Sequence, residues 1–274
     1  MPTVSNGPVD IHYEDTGGDG RPVVLIHGWP LSGESWSEQV PALEEAGYRV
    51  IRHDRRGFGH SDKPGTQSTY DYDTLTSDLD AVMTSLDLRD ATLVGFSMGG
   101  GEVARYVGTH GEERLRSIAF TAAVPPCLLK DEDHPDGALD DATVSGMQDG
   151  LRADPRGFLD GFTRNFFSAG GEMRVTEEQR QVALALALQA DVHAAAECIR
   201  SWVEDFTGDL AKVTVPTLVI HGDSDGIVPL EVSGRRTHEA VAGSELHVIE
   251  GGPHGINTSH PGEFTSLLLD FLAR

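Results

Sequence analysis

Residues 95–99 read Gly-Phe-Ser-Met-Gly, with glycine two residues to either side of a serine. An apolar strand pattern, Ala91-Thr92-Leu93-Val94, leads into this run, and a helical pattern over residues 100–107 follows it. A G-x-S-x-G sequence between strand and helix forms a sharp turn: its small residues let the two elements approach and force the central side chain outward. Ser97 then sits at a helix N-terminus, where backbone N–H groups and the helix dipole favour a developing negative charge. The chemistry of a serine placed this way is attack on a carbonyl carbon through a covalent acyl intermediate.

A serine hydroxyl is a poor nucleophile at neutral pH and requires a base. Of twelve histidines, His254 has the right position. It lies in Gly251-Gly252-Pro253-His254-Gly255, after the last strand pattern and before the last helical one, and completes the chain order Ser, acid, His. His247 falls within a strand pattern and His260 opens the closing helix; His27 ends an earlier strand, where holding the adjacent turn is its expected role. The acid lies in the loop running from His221 to Pro229. Asp223 and Asp225 both have the chemistry to fix the imidazole tautomer and stabilise the imidazolium. Asp225, deeper in the loop, is the expected acid, and Asp223 is expected to cap the turn through backbone amides.

The tetrahedral oxyanion needs two backbone N–H donors, expected from Met98 and Trp29, whose side chains this role leaves free to vary. Pro30 restricts Trp29 to extended backbone and removes one N–H. That reads equally as aiming the Trp29 carbonyl at the acyl group and as stiffening the loop. The loop of residues 54–61 carries Asp54, Arg55, Arg56 and His60, and is expected to be a structural loop closed by internal ion pairs. No H-E-x-x-H or local Cys/His cluster occurs, and Gly99-Gly100-Gly101 lacks the Lys-Ser/Thr of a phosphate loop, so neither metal nor cofactor is expected.

The elements that must position these residues alternate between strand and helix. A hairpin is expected around Asn6-Gly7, with strands at residues 22–26, 48–51, 91–94, 115–122, 215–220 and 246–249. Helices are expected at 35–46, 71–88, 100–107 and 230–241, with a closing helix through Phe264, Leu267, Leu268 and Phe271. Between residues 125 and 208 the pattern is helical only. The fold class is therefore α/β, a mostly parallel sheet flanked by helices and interrupted by a helical cap over the carboxyl ends of the strands, where ligands bind. Residues 1–124 form the first half of the core, 125–209 the cap and 210–274 the second half.

The 274 residues hold 44 acidic and 21 basic side chains, a formal charge of −23. A phosphate backbone is repelled by such a field, so nucleic acid is not an expected partner. The composition fits a soluble acidic enzyme from a GC-rich genome, and equally an adaptation to high salt, where a dense acidic surface is screened. No run approaches the ~20 apolar residues needed to span a bilayer, and the N-terminus has no secretory pattern. A cytoplasmic protein without membrane partners is expected, with Cys127 and Cys198 as reduced packing residues.

The segment from Gly95 to Tyr106 (Gly-Phe-Ser-Met-Gly-Gly-Gly-Glu-Val-Ala-Arg-Tyr) resembles the cofactor-free bacterial haloperoxidases, also described as perhydrolases and arylesterases, within the α/β-hydrolases. His27-Gly28-Trp29-Pro30, Arg55-Arg56-Gly57-Phe58-Gly59, Val124-Pro125-Pro126, His221-Gly222-Asp223-Ser224-Asp225 and Gly252-Pro253-His254-Gly255 are similar to the same family. The three glycines followed by Glu102-Val103-Ala104-Arg105, together with Trp29-Pro30, are its more specific marks. The resemblance implies Ser97, Asp225 and His254 as the triad, Trp29 and Met98 as oxyanion donors, no metal and no haem, and a homo-oligomer. It implies acyl transfer from a small ester or carboxylic acid to water or hydrogen peroxide, the resulting peracid oxidising halide outside the site. A plain carboxylesterase or lactonase is the competing reading. A ligand-binding receptor that reuses the fold is the reading of a different class. Haloalkane dehalogenase and epoxide hydrolase chemistry would need Asp where Ser97 stands.

Overall fold

Val23, Val24, Leu25 and Ile26 are fully buried, as are Leu93 and Val94. Such unbroken apolar runs form strands covered on both faces. In a computed structural model describing residues 1–274 they lie at the centre of an eight-stranded sheet. The chain begins with β1 (Thr3–Asn6), β2 (Val9–Asp15), β3 (Pro22–Ile26), α1 (Val40–Glu45), β4 (Arg49–His53), α2 (Tyr72–Ser85), β5 (Ala91–Phe96), α3 (Met98–His110) and β6 (Leu115–Thr121). An insertion follows: α4 (Asp141–Ala153), α5 (Pro155–Phe166), β7 (Ser168–Ala169), β8 (Glu172–Met173), α6 (Glu177–Ala187), α7 (Val192–Ser201) and α8 (Thr207–Leu210). The sheet resumes with β9 (Thr217–Gly222), α9 (Gly234–Ala240), β10 (Glu245–Ile249), α10 (Ile256–Ser259) and α11 (Pro261–Leu272). Strand order is β1-β2-β4-β3-β5-β6-β9-β10, parallel from β4 onward, with β1 and β2 antiparallel at one edge.

Three expected elements differ in detail. The helix expected over residues 35–46 is a 3₁₀ turn at Gly33–Trp36 followed by α1. Pro41 has no N–H to donate and fits only a first helical turn, so the helix restarts beside it. The helix expected from residue 230 starts at Gly234, because Val232 and Ser233 first turn back onto the Pro229 carbonyl. The stretch expected to lack strands contains the hairpin β7–β8, turned by Gly170 and Gly171 at φ +60° and +82°. A Gly-Gly pair is a hairpin signal, but two-residue strands are too short to show an alternating pattern.

Side-chain caps define the helices of the insertion. Asp140, Asp154, Thr176 and Asp191 each accept a backbone N–H at the start of α4, α5, α6 and α7. Each such cap contributes about 1 kcal/mol. One continuous apolar core includes sheet residues such as Val24 and insertion residues such as Leu151, Phe162 and Trp202. Cys127 and Cys198 are buried thiols. No single helix is long and apolar enough to cross a membrane.

Candidate active site

Ser97 terminates β5 and precedes α3 with φ +54° and ψ −118°, a conformation rarely adopted by residues with a side chain. Its neighbours hold it there. The Ser97 N–H donates to the Thr121 carbonyl at 2.9 Å, and its carbonyl accepts from Gly100 and Val124. The flanking glycines answer to close approach: a Cβ on Gly95 would stand 2.4 Å from the Gly99 carbonyl oxygen, and one on Gly99 would stand 2.5 Å from that of Ile26.

His254 lies between β10 and α10, with its ring against those of Phe96 and Phe166. Its Nε2 is 2.8 Å from Ser97 Oγ and its Nδ1 is 2.7 Å from Asp225 Oδ2. Asp225 Oδ1 accepts the backbone N–H groups of Ile227 and Val228 at 2.9 and 2.8 Å. His221 Nε2 donates to the Val228 carbonyl at 2.8 Å and stands 3.3 Å from Asp225 Oδ2. Burial opposes charge on Asp225, but attraction to His254, the close approach of His221 and the hydrogen bond from His254 outweigh it, and its carboxyl stays well below the usual range. Asp223 is exposed and accepts the Gly251 N–H at 2.8 Å, so the loop brings Asp225, not Asp223, to the imidazole.

Trp29 and Met98 are both buried beside Ser97. Met98 is the first residue of α3, so its N–H has no intrahelical acceptor, and no protein atom accepts the N–H of Trp29. The Trp29–Pro30 peptide is cis. The Trp29 side chain is not free to vary, contrary to the expectation from its backbone role. Its indole N–H donates to the Ala195 carbonyl of α7 at 2.9 Å, and its ring meets Phe162 and Trp202 edge-on. The anchoring partners lie in the insertion, far along the chain.

His27 holds the adjoining turn. Its Nδ1–H donates to the Gly28 carbonyl at 2.9 Å, and its Nε2 accepts the Arg55 N–H at 3.0 Å. Burial and the Arg55 charge push its pKa well below the ordinary value, keeping it neutral. The arginines of the loop of residues 54–61 are held by buried ion pairs with the helices packed against it. Arg55 pairs with Glu102 of α3, and Arg56 pairs with Asp78 of α2 at 2.6 Å. His247 and His260 stand apart from Ser97, near Glu245 and Ser259 respectively.

Ser97 opens onto a cavity of about 450 Å³ whose walls include Trp29, Leu128, Phe158, Phe162 and Trp202. Asn165 supplies a polar group, and no charged side chain lines the space. Nothing in the sequence marks Leu128, Phe158, Phe162 or Trp202 as walls, nor His221 beyond its place at the end of a strand.

The profile of the alpha/beta hydrolase fold matches residues 21–261. The chain is 45% identical to a putative non-heme chloroperoxidase of Synechocystis over 99% of its length and 100% of that protein. It is 34% identical to the bifunctional esterase/perhydrolase DCH of Acinetobacter calcoaceticus over 96% of each chain. The crystal structure of a bromoperoxidase from Bacillus anthracis superposes with a TM-score of 0.96 at 52% identity, covering 100% of this chain and 99% of that one. The chain thus belongs to the α/β-hydrolases and, among them, to the non-heme haloperoxidase family.

Proposed function

We propose that the protein is a serine hydrolase that transfers the acyl group of a small neutral ester or carboxylic acid to water or to hydrogen peroxide. The observation that carries this reading is the unbroken hydrogen-bonded chain Ser97–His254–Asp225, buried except where Ser97 faces the cavity. His254 Nε2 takes the Ser97 proton as Oγ attacks the carbonyl carbon. The charge that develops on the carbonyl oxygen is met by the free N–H groups of Trp29 and Met98. Asp225 keeps the Nδ1–H tautomer in place and stabilises the imidazolium. His254 then returns the proton to the leaving alcohol or hydroxide, and the acyl group remains on Ser97.

Deacylation repeats these roles with a new nucleophile. Water yields the carboxylic acid; hydrogen peroxide yields the peracid, which oxidises bromide or chloride after it leaves. The name of the Acinetobacter relative joins both activities in one protein. The insertion of residues 125–209 acts as the cap, since Phe158, Phe162 and Trp202 come from it. An apolar wall without a cation disfavours acyl groups that carry a carboxylate of their own. The charge of −23 likewise disfavours nucleic acid as a partner.

Hydrolysis of p-nitrophenyl acetate by the wild type and by Ser97→Ala tests the nucleophile. The expected loss in kcat is at least about 10⁴-fold, and unchanged turnover refutes the assignment. Bromination of monochlorodimedone with peroxide tests the second acceptor. It is expected only when acetate or another acyl donor is present, and bromination without a donor refutes the peracid route. Ester hydrolysis with no peracid under any donor reduces the function to that of a carboxylesterase.

A further inference from the structure

Away from the reaction centre, three side chains with metal-binding chemistry converge where β2 meets the loop after β4. His12 lies within β2, Asp54 directly follows β4, and His60 is in the same loop. One ligand atom from each lies within 4.8 Å of the other two. Asp54 Oδ2 is 3.3 Å from His12 Nδ1 and 3.5 Å from His60 Nδ1, and neither contact is a hydrogen bond. Donors at about 2.0–2.1 Å around a tetrahedral ion stand about 3.3–3.4 Å from one another. Both separations are those of ligands sharing one ion.

The backbone fixes these donors in advance. Asp54 N–H donates to the His12 carbonyl at 2.9 Å. Ser61 Oγ accepts the His12 N–H at 2.8 Å and donates to the Asp54 carbonyl at 2.6 Å. The Asp54 carboxylate is oriented by the N–H groups of Gly33 and His60 at 2.8 and 2.7 Å. The His12 and Asp54 side chains are 4% exposed and that of His60 is 37% exposed, so one side of the cluster is open to solvent. We infer that His12, Asp54 and His60 form a binding site for a divalent ion of the zinc type, with water as its fourth ligand.

Two imidazole nitrogens and one carboxylate suit zinc far better than calcium or magnesium, which take oxygen ligands in larger number. The net charge of −23 raises the local concentration of cations. An ion there would tie the sheet edge to the loop that carries Arg55 and Arg56, and no step of the proposed acyl transfer passes through it. A second cluster, Cys127, His134 and Asp205, has similar spacing but different commitments. His134 Nδ1 is 2.9 Å from Asp131, a bond that raises the imidazole pKa, and burial raises that of the Cys127 thiol. Both shifts favour the protonated forms of His134 and Cys127, which compete with metal binding.

The test uses untagged full-length protein freed of metal with a chelator. Titration with zinc by calorimetry is expected to show one equivalent bound, and cobalt(II) is expected to give the intense visible bands of a tetrahedral site. Zinc at a hundredfold excess over its Kd is expected to raise the melting temperature by about 5 °C. His60→Gln, at the exposed rim, is expected to weaken zinc binding by at least about 10-fold, the smallest loss seen even for groups that only support a ligand. His134→Gln is expected to leave it unchanged. The inference is overturned by the absence of binding below millimolar zinc, by unaltered affinity in His60→Gln, or by loss of binding in His134→Gln instead.

Discussion

Two networks of buried ionisable side chains meet the start of α3, and they use much the same residue types to opposite ends. One runs Ser97–His254–Asp225–His221. The other runs Glu102–Arg55–His27. Each contains a fully buried histidine and a buried carboxylate. In the first, His254 connects a carboxylate to a hydroxyl that faces the cavity. In the second, His27 Nδ1 meets the Gly28 carbonyl and the Arg55 guanidinium and Nε2 accepts the Arg55 backbone N–H, so neither nitrogen faces a hydroxyl or a cavity. The carboxylates differ in the same way. Both Asp225 oxygens have donors, and its pKa is lowered. Glu102 Oε2 has no hydrogen-bond partner, and burial pushes the Glu102 carboxyl up to about 7 even beside Arg55. Residue type and burial do not separate the network proposed to react from the one that scaffolds; the group at its open end does.

The largest expected effect lies in the first network. Asp225→Asn removes the charge and presents an amide that favours the wrong imidazole tautomer, so kcat for ester hydrolysis is expected to fall by about 10⁴-fold with the fold retained. Asp223→Asn, whose carboxylate meets only the Gly251 N–H and the Ser224 hydroxyl, is expected to keep kcat within about 10-fold. Equal losses in the two variants would break the distinction between the aspartates.

The second network is expected to answer in stability. Arg55→Met leaves Glu102 buried without its partner and is expected to cost about 3–5 kcal/mol in urea unfolding. The double variant Arg55→Met/Glu102→Leu is expected to recover much of that loss, since an apolar pair of similar volume carries no desolvation penalty. Activity per folded molecule is expected to fall by no more than about 100-fold, through movement of the Trp29 turn that His27 and Arg55 hold. A stable but inactive Arg55→Met protein would place the second network in the chemistry and erase the comparison.

What could be read in the sequence follows the same division. The elbow at Ser97 was legible because its turn, its glycines and its flanking elements are all local. The loop positions of Asp225 and His254 were legible because each directly follows a strand. His221 carried no readable role, because its contact with Asp225 exists only once the loop folds back to offer the Val228 carbonyl. The partners of Arg55 and Arg56 were not legible because Asp78 and Glu102 lie on helices whose facing sides only packing decides. The anchoring of the Trp29 indole on Ala195, and the cavity walls from α4, α5 and the turn after α7, depend on how the insertion docks. Positions 12, 54 and 60 are likewise joined only by the pairing of β2 with β4, and no spacing rule reveals them.

The smallest effect is the most discriminating, because the two carboxylates give stability profiles of opposite slope. Asp225 ionises near 3.8 when unshifted and at a lower value in the fold. Its charged form is therefore favoured by folding. That stabilisation is complete above the unfolded pKa and is lost as pH falls through the folded one. The stability difference between wild type and Asp225→Asn is expected to be flat from pH 8 to pH 5, then to shrink by about 1 kcal/mol per pH unit below about pH 4. Glu102 moves the other way, from an ordinary 4.5 to about 7. The folded state holds its proton more tightly, so stability declines as pH rises from about 4.5 to about 7 and levels off above. The difference between wild type and Glu102→Gln is expected to track that decline. Urea unfolding of the three proteins at pH 3.5, 5, 6, 7 and 8 checks both slopes. Two profiles of the same sign would mean that the fully hydrogen-bonded carboxylate and the half-bonded one are held alike, and the contrast between the networks would then rest on the cavity alone.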